Sequence, residues 1–387
     1  MKLRVALYVS GLISLMLALA MTLPLIVSLF FKDGDTKTFA VSIIVTLAIG
    51  GFLFIFFKSN DTEVGHRDGF LIVALAWITA CVFSSLPYLI SGALPTIADA
   101  FFEGTSGITT TGASILTDIE SLSHAMLFWR SFTQWLGGMG IVIVGVAILP
   151  LLGVGGMQLY KAEASTISGD KFVPRISEMA RILLVIYLVL SLSMAVLLLL
   201  SGMGLYDTLI HTLSGASTGG FSNYNGSIGS FGNVWIEAII IVFMVLGATN
   251  FALHYGVYRE GFKVFFRNEE FKFYILIMVV STAAVTINLA VSHYGSIGAA
   301  FRHAVFQVVS IATTTGYSTV DYGLWPSFSQ IVILSLIFVG GSAGSTTGAI
   351  KCVRLLLMLK LLKKEVSTLI HPHAIIPVKM NGRVIDS

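Results

Sequence analysis

Charged residues are scarce in this sequence of 387 residues. Only 11% are Asp, Glu, Lys or Arg, whereas an average soluble domain carries about 25%. This scarcity excludes a water-soluble globular enzyme, and an apolar content of 56% excludes a disordered chain. A net charge of +3 is too small to indicate nucleic-acid binding. Two cysteines, Cys81 and Cys352, exclude a disulfide framework and a CxxC metal site. A polytopic membrane protein remains.

The sequence contains many long windows without charged residues. A membrane helix needs about 20 apolar residues, and windows without Asp, Glu, Lys or Arg reach this length repeatedly, as in residues 5–31 and 273–301. Eight spans are predicted, near residues 6–30, 39–57, 70–91, 125–152, 182–201, 234–254, 273–292 and 329–362, the last of them broken. The predicted fold class is therefore an all-α polytopic membrane protein.

The distribution of Lys and Arg predicts the orientation of these spans. With the N-terminus in the cytoplasm, 19 of the 23 Lys and Arg residues fall in the predicted cytoplasmic segments. One of these segments, residues 161–181, holds four of them and is predicted to be a membrane-surface helix or a docking site for a cytoplasmic regulator. The segments placed outside are residues 92–124, 202–233 and 293–328. They are too apolar for free loops, so we expect them to re-enter the membrane.

An internal repeat occupies these three outer segments and aligns without gaps. Each copy is centred on a glycine, with a serine six residues before it, a threonine two residues before it and a serine two residues after it. The copies are Ser106, Thr110, Gly112 and Ser114; Ser214, Thr218, Gly220 and Ser222; and Ser310, Thr314, Gly316 and Ser318. Each copy lies between two predicted spans, which gives a helix–pore loop–helix unit three times.

An ion pore explains this pattern. A dehydrated K⁺ needs rings of oxygen atoms in place of its water shell, and backbone carbonyl groups supply them. Glycine permits the unusual φ and ψ angles that turn successive carbonyls toward an axis, and threonine stiffens the strand. The residues predicted to form this selectivity filter are Thr110, Thr111, Gly112, Thr218, Gly219, Gly220, Thr314, Thr315 and Gly316.

The residues that flank each filter segment have expected roles. About ten residues before each segment are predicted to form a short pore helix, with Asp99 and Asp207 near the N-termini of the first two, where negative charge is favourable. The polar residues after the glycines are predicted either to ring the outer mouth or to be solvated loop residues. They are Asp118, Glu120, Asn225 and Asp321. Arg130 is predicted to be an ion-pair partner, a snorkelling residue or an electrostatic barrier.

The motifs Thr109–Ser114, Ser217–Ser222, Thr313–Ser318 and Gly340–Lys351 resemble the Trk/Ktr/HKT superfamily of potassium and sodium uptake proteins, and within it the bacterial Trk-system membrane subunits of the TrkH type. The resemblance implies K⁺ uptake through the bacterial inner membrane by a homodimer with a cytoplasmic nucleotide-binding regulatory subunit of the TrkA type. It implies K⁺ at the filter residues alone and no cofactor in this chain. It also implies that an intramembrane loop gates the pore, with gate residues Gly340, Gly341, Gly344 and Gly348.

The resemblance also predicts the organisation of the chain. The family builds its pore from four repeats, and three are recognisable here, so a fourth repeat is expected to be missing. The predicted segments are two extra helices at 1–60, repeats at 61–160, 161–260 and 261–365, and a cytoplasmic tail at 366–387 that ends before a fourth repeat.

Other functions remain as alternatives. Gly340-Gly-Ser342-Ala-Gly344 fits the G-x-S-x-G elbow of hydrolases, but its context is a membrane helix rather than strand–turn–helix. A protease serine at Ser106 is disfavoured because Ser106 recurs as Ser214 and Ser310, so no enzyme is predicted. The alternatives to K⁺ uptake are a non-conducting truncated remnant of the family and a secondary transporter of an organic solute.

Overall fold

The computed structural model describes residues 2–59, 65–151, 176–292, 296–371, 377–381 and 383–384. The predicted surface helix or docking site at 161–181 lies outside the described residues up to position 175. Residues 1–243 and 244–387 form two compact units.

Helices account for nearly all regular structure in the described part of the first unit. They are α1 (Leu3–Ala20), α2 (Thr22–Phe31), α3 (Thr36–Phe56), α4 (His66–Ser91), α5 (Ile97–Ile108), α6 (His124–Leu151), α7 (Ile176–Leu200), α8 (Leu205–Ala216), a 3-10 helix at Ser227–Phe231 and α9 (Val234–Gly247), which ends in the second unit.

The second unit continues the same architecture and ends in a small hairpin. Its elements are α10 (Phe251–Glu260), α11 (Lys263–Arg267), α12 (Glu269–Val291), α13 (Ile297–Ala312), a 3-10 helix at Tyr322–Leu324, α14 (Ser327–Ile337), α15 (Cys352–Ile370), β1 (Lys379–Met380) and β2 (Arg383–Val384). The two strands pair antiparallel, with Lys379 opposite Val384.

Several of these helices are long and apolar enough to cross a membrane. Among the described residues they are Leu3–Phe31, Thr36–Phe56, Arg67–Ser91, Ala180–Leu200 and Glu269–Val291. They coincide with the first, second, third, fifth and seventh predicted spans. Helix α6, whose helical geometry is interrupted at Gly140, coincides with the fourth.

Two glycines bring the first two membrane helices into close contact. A Cβ at Gly11 of α1 would lie 2.5 Å from the backbone nitrogen of Phe54, and one at Gly50 of α3 would lie 2.7 Å from Cβ of Ser14. Small residues at such crossings let helix backbones approach in a lipid environment, where van der Waals packing drives association. These contacts attach the N-terminal helices to each other, and α1 also packs on α4.

The sixth predicted span, 234–254, is broken and bent by 96° in the structure, whereas the sequence indicated a break in the eighth span alone. Helix α9 ends at Gly247 and α10 begins at Phe251. Asn250 caps the new helix, because its side chain accepts a hydrogen bond from the Ala252 nitrogen at 2.8 Å. The carbonyl group of Ala248, freed by the break, accepts a hydrogen bond from the Ser342 nitrogen at 2.9 Å. A distant segment thus satisfies the backbone where the helix is open.

The eighth span is broken, as predicted. Helix α14 ends at Ile337 and α15 begins at Cys352, and the glycine-rich residues lie between them. In this unit α12 packs against α13, α14 and α15, and Ser329 of α14 donates a hydrogen bond to Asn288 of α12 at 2.7 Å. The helices thereby frame both the third repeat segment and the break that follows it.

Candidate ion-conduction site

Each repeat segment follows a short helix (α5, α8 or α13) and takes the same rare backbone conformation. The threonine two residues before the glycine and the glycine itself have positive φ angles, whereas the residue between them does not. The φ angles are 57°, 52° and 53° at Thr110, Thr218 and Thr314 and 75°, 81° and 88° at Gly112, Gly220 and Gly316. Positive φ is unusual for a β-branched residue and costs about 1–3 kcal/mol, and such strain concentrates at functional sites.

Two backbone hydrogen bonds recur in all three copies and end each short helix in a left-handed cap. In the first, the nitrogen of the threonine of positive φ donates to the carbonyl oxygen three residues before it. In the second, the nitrogen of the residue just before the glycine donates to the carbonyl oxygen of the repeat serine, at 2.9 Å each time. The donors are Thr111, Gly219 and Thr315, and the acceptors are Ser106, Ser214 and Ser310. The repeat that is visible in the sequence is therefore a repeat of backbone geometry.

Alternating φ signs determine what these segments can do chemically. A strand that contains residues of positive φ can turn backbone carbonyl groups in directions that an ordinary extended strand does not allow. The short helix ends where each segment begins, and its C-terminal dipole favours a cation. Backbone carbonyl oxygens in such an arrangement can replace the hydration shell of a monovalent cation.

The first two copies, both in the first unit, touch each other. A Cβ at Gly112 would overlap the carbonyl oxygen of Gly219. Gly112 is therefore required for space as well as for its positive φ. In the second unit, a Cβ at Gly316 would have no atom within 4 Å. Conformation alone requires that glycine.

Hydroxyl groups brace the first and third copies in the same way. The Oγ1 atoms of Thr109 and Thr111 lie 2.7 Å apart, and so do those of Thr313 and Thr315. The repeat serines also donate to the carbonyl of the residue after the glycine: Ser106 to Ala113 at 2.5 Å, and Ser310 to Tyr317 at 2.6 Å. The second copy has Ser217 and Gly219 at the paired positions and lacks this threonine pair.

A further polar position was missed by the sequence analysis. Nine residues before each glycine stands a fully buried polar side chain: Glu103, His211 and Gln307. Glu103 accepts hydrogen bonds from Ser114 Oγ at 3.0 Å and from the Ile115 nitrogen at 3.1 Å, and His211 Nε2 lies 3.0 Å from Ser222 Oγ. The signal was present in the alignment, because the same column is polar in three apolar helices.

Arg130 is a buried ion-pair partner, one of the three roles that the sequence left open. Its Nε lies 3.0 Å from Glu103 Oε1, and both side chains are excluded from solvent. Its other nitrogens donate to the Ser222 carbonyl at 3.0 Å and to Ser114 Oγ at 3.2 Å, and its guanidinium lies 4.2 Å from the centre of the Phe221 ring. Arg130 therefore links the ends of the first and second copies.

The polar residues after the first two glycines also meet. The Asn225 nitrogen donates to Glu120 Oε1 at 3.0 Å, and its side chain accepts from the Ile119 nitrogen at 3.0 Å and donates to Asp118 Oδ1 at 3.4 Å. In the second unit, Asp321 accepts from the Gly323 nitrogen at 2.9 Å and begins a 3-10 helix. These side chains thus order the loops, and their role at an outer mouth stays a prediction.

The glycine-rich segment between α14 and α15 is a compact loop, because its glycines permit close backbone contacts. The Gly340 nitrogen donates to the Ile350 carbonyl at 2.9 Å, and a Cβ at Gly340 would overlap the Gly348 carbonyl oxygen. Gly341 lies against the carbonyl of Ala248, and Gly344 has a φ of 70°. No side chain larger than hydrogen fits at Gly340 without movement of the loop.

This loop contacts the third repeat segment. The Gly348 nitrogen donates to Thr314 Oγ1 at 3.0 Å. On its other side, the buried carboxylate of Glu270 accepts from the Ala343 nitrogen at 2.7 Å and from the Val353 nitrogen at 3.2 Å. The loop is therefore attached both to a residue of positive φ and to the first turn of α12.

In the part of the chain that the structure describes, no group of three or more His, Cys, Asp or Glu side chains is placed to hold a metal ion. The repeat segments themselves offer backbone and hydroxyl oxygens as candidate ligands for a monovalent cation.

Comparison with known proteins identifies relatives along nearly the whole chain. The family described as TrkH, cation transport protein, matches residues 35–387. The Trk system potassium uptake protein TrkH of Halomonas elongata is 41% identical over 389 residues, which cover 99% of this chain and 80% of the relative. TrkH of Escherichia coli K12 is 39% identical over 97% of this chain and 78% of the relative.

A solved structure shares the fold. The crystal structure of the potassium transporter TrkH from Vibrio parahaemolyticus is 36% identical, has a TM-score of 0.89, and the match covers 100% of this chain and 80% of that one. The match confirms the predicted all-α polytopic membrane fold. Together with the relatives, it confirms the family suggested by the filter-like motifs: the chain belongs to the TrkH family of cation transport proteins.

Proposed function

We propose that this chain takes up potassium through a selectivity filter of backbone carbonyls. Potassium is the ion named for its relatives, the Trk system potassium uptake proteins. The filter residues are those predicted from the sequence: Thr110, Thr111 and Gly112 in the first copy, Thr218, Gly219 and Gly220 in the second, and Thr314, Thr315 and Gly316 in the third.

The observation that carries the proposal is the threefold recurrence of positive φ at a threonine. A left-handed residue often ends a helix, but it is usually glycine, so a threonine at this position in all three copies is unusual and is strained. Backbone carbonyl groups at the C-terminal end of a short helix suit a dehydrated cation. Because backbone oxygens hold the ion, few charged side chains are needed, which agrees with a charged content of 11%.

The glycine-rich loop supports a gate at Gly340, Gly341, Gly344 and Gly348. The hydrogen bond from its Gly348 nitrogen to Thr314 Oγ1 supports this role, and its tight backbone contacts give the loop a defined conformation. Movement of this loop would break the hydrogen bond to Thr314, which couples the gate to the third filter segment.

The cellular setting follows from the family and the charge distribution. The chain lies in the bacterial inner membrane with its N-terminus in the cytoplasm, where 19 of its 23 Lys and Arg residues are placed. It acts as a homodimer with a cytoplasmic nucleotide-binding regulatory subunit of the TrkA type. Its activity is ion movement, without a cofactor in this chain.

The test is K⁺-limited growth of a bacterial host that lacks its own K⁺ uptake systems. Wild-type chain, Gly316→Ala and Gly34→Ala are expressed to equal membrane levels, and Rb⁺ uptake is measured alongside growth. Gly34→Ala is the matched control, because Gly34 has a φ of 90° and open space around it, as Gly316 has. Both substitutions impose the same backbone strain, but only one affects the filter.

We expect growth rescue by wild-type chain and by Gly34→Ala, and loss of rescue with Gly316→Ala. Membrane-inserted wild-type chain that gives neither growth nor Rb⁺ uptake would contradict the proposal and favour a non-conducting relative. Equal uptake by the two variants would remove Gly316 from the filter.

A further inference from the structure

Helix α6 lies against the first and second filter copies along one face. A Cβ at Gly137 would overlap the carbonyl oxygen of Ile108, at the end of α5, and one at Gly138 would lie 2.6 Å from Cβ of Ser217. Gln134 shares this face, because residues three and four apart are neighbours on a helix. The helix backbone therefore reaches both copies, and the side chain of Gln134 is directed at the second.

The carboxamide of Gln134 makes three hydrogen bonds, all to the second copy. Its Oε1 accepts from Ser214 Oγ at 2.7 Å and from the Phe221 nitrogen at 3.1 Å, and its Nε2 donates to the Gly219 carbonyl at 2.8 Å. The orientation of the amide is fixed by chemistry, because a backbone N–H can only donate and a carbonyl can only accept. Gln134 is completely buried, so water does not compete for these bonds.

Gln134 also explains why the second copy departs from the other two. Copies one and three have threonine just before the filter glycine, and its hydroxyl pairs with that of the threonine two residues earlier. The second copy has Gly219 at this position, and a Cβ there would overlap the Gln134 carboxamide. The glutamine from α6 thus occupies the space of the missing threonine side chain.

The bond to Gly219 acts at the contact between the two copies. The Gly219 carbonyl oxygen is the atom that a Cβ at Gly112 would overlap, so its direction sets the spacing of the first two filter strands. One donor on a rigid helix fixes that direction. In a carbonyl filter, oxygen spacing and the field of the dipoles distinguish K⁺ from Na⁺.

We propose that Gln134 is a positioning residue for ion selectivity, which replaces in the second copy the threonine hydroxyl pair that braces the first and third. The proposal rests on the proposed function, because it assigns a role within the same filter. It goes beyond that function by naming a side chain outside the repeat that determines K⁺ preference.

The first test uses ion-dependent thermal stability, which does not require conduction. Purified full-length chain is heated in K⁺ or in Na⁺ over a series of concentrations, since an ion that binds only the folded state raises the melting temperature. Gln134→Met keeps the length of the side chain but can neither donate to Gly219 nor accept from Ser214 and Phe221. We expect the half-saturating K⁺ concentration to rise about tenfold, as for the loss of the buried hydrogen bond to Gly219, and K⁺ preference over Na⁺ to disappear.

Gln330→Met is the matched control. The Gln330 amide donates to the Gly323 carbonyl at 2.6 Å and to the Trp325 carbonyl at 3.0 Å, outside the filter segments. This variant should keep the K⁺ preference of wild type. Unchanged preference in Gln134→Met, with wild type selective, would overturn the role of Gln134 and leave the proposed function standing. Wild type without K⁺ preference would overturn both.

A complementation test separates positioning from general stability. Gly219→Thr alone places a side chain against Gln134 and should abolish K⁺ preference. Adding Gln134→Ala removes the overlapping carboxamide and gives the second copy the side-chain pattern of the other two, with Ser217 as the paired hydroxyl. We expect the double variant to recover K⁺ preference to within about threefold of wild type. This remaining difference is smaller than the change expected from the loss of one hydrogen bond. A double variant that fails to fold or to prefer K⁺ would overturn the proposal.

Discussion

The first and third copies of the repeat segment have nearly the same backbone in different surroundings. Gly112 has a φ of 75° and lies against the Gly219 carbonyl, whereas Gly316 has a φ of 88° with no atom near a Cβ position. Behind the first copy stands the ion pair of Glu103 with Arg130, and at the same repeat position in the third copy stands Gln307. The backbone conformation of the repeat segments is thus local and encoded by each segment, whereas the side chains that brace it differ from copy to copy.

The largest expected effect comes from the brace that only the first copy has. Arg130→Met leaves the Glu103 carboxylate buried without its partner, which should cost about 3–5 kcal/mol in the free energy of unfolding. Unfolding of the purified protein in a detergent titration measures the loss. The double variant Arg130→Met/Glu103→Gln gives the first copy the amide of the third, and we expect it to recover most of the stability. No recovery would show that the amide cannot replace the ion pair.

The next effect distinguishes the two glycines. Gly112→Ala adds backbone strain and an overlap with the Gly219 carbonyl, so it should lower the free energy of unfolding by roughly 2–5 kcal/mol. Gly316→Ala should lower it by about 1–2 kcal/mol, because only the left-handed backbone opposes the new side chain. The same detergent titration measures both variants, with Gly34→Ala as the reference for strain alone. Equal losses at positions 112 and 316 would contradict the close contact of the first two copies.

The smallest expected effect should be equal in the two copies. Ser106→Ala and Ser310→Ala each remove one hydrogen bond to the carbonyl after the filter glycine, at a cost of about 1 kcal/mol. The rate of Rb⁺ uptake and the free energy of unfolding should fall by similar amounts in both variants. Ser214→Ala is the contrasting variant, because its hydroxyl donates to Gln134 instead. If the effects of Ser106→Ala and Ser310→Ala differ from each other by more than either differs from the effect of Ser214→Ala, the two copies do not share a local brace.

Much of the fold was predictable because membrane helices and repeats leave local signals. Windows without charged residues predicted the positions of the spans. The gapless alignment of the three repeats located the segments in which Thr110, Thr218 and Thr314 have positive φ. The orientation, the filter roles and the gate roles stay predictions.

The contacts that brace the repeat segments were not predictable. Gln134 meets Gly219 across 85 residues, and Arg130 meets the Ser222 carbonyl across 92. The break of the sixth span at Ala248 depends on Ser342, far along the chain. Pairings of this length leave no periodic pattern in a single sequence, although the polar column of Glu103, His211 and Gln307 was present in the repeat and was overlooked.

The central claim is that backbone carbonyls in these segments conduct K⁺ in preference to Na⁺. The most direct measurement is Rb⁺ uptake by purified wild-type chain in liposomes, with external K⁺ or Na⁺ as competitor and Gly34→Ala and Gly316→Ala in parallel. The account predicts uptake above that of empty liposomes, stronger competition by K⁺ than by Na⁺, and loss of this preference in Gly316→Ala alone. Uptake no greater than in empty liposomes, or equal competition by the two ions, would contradict it.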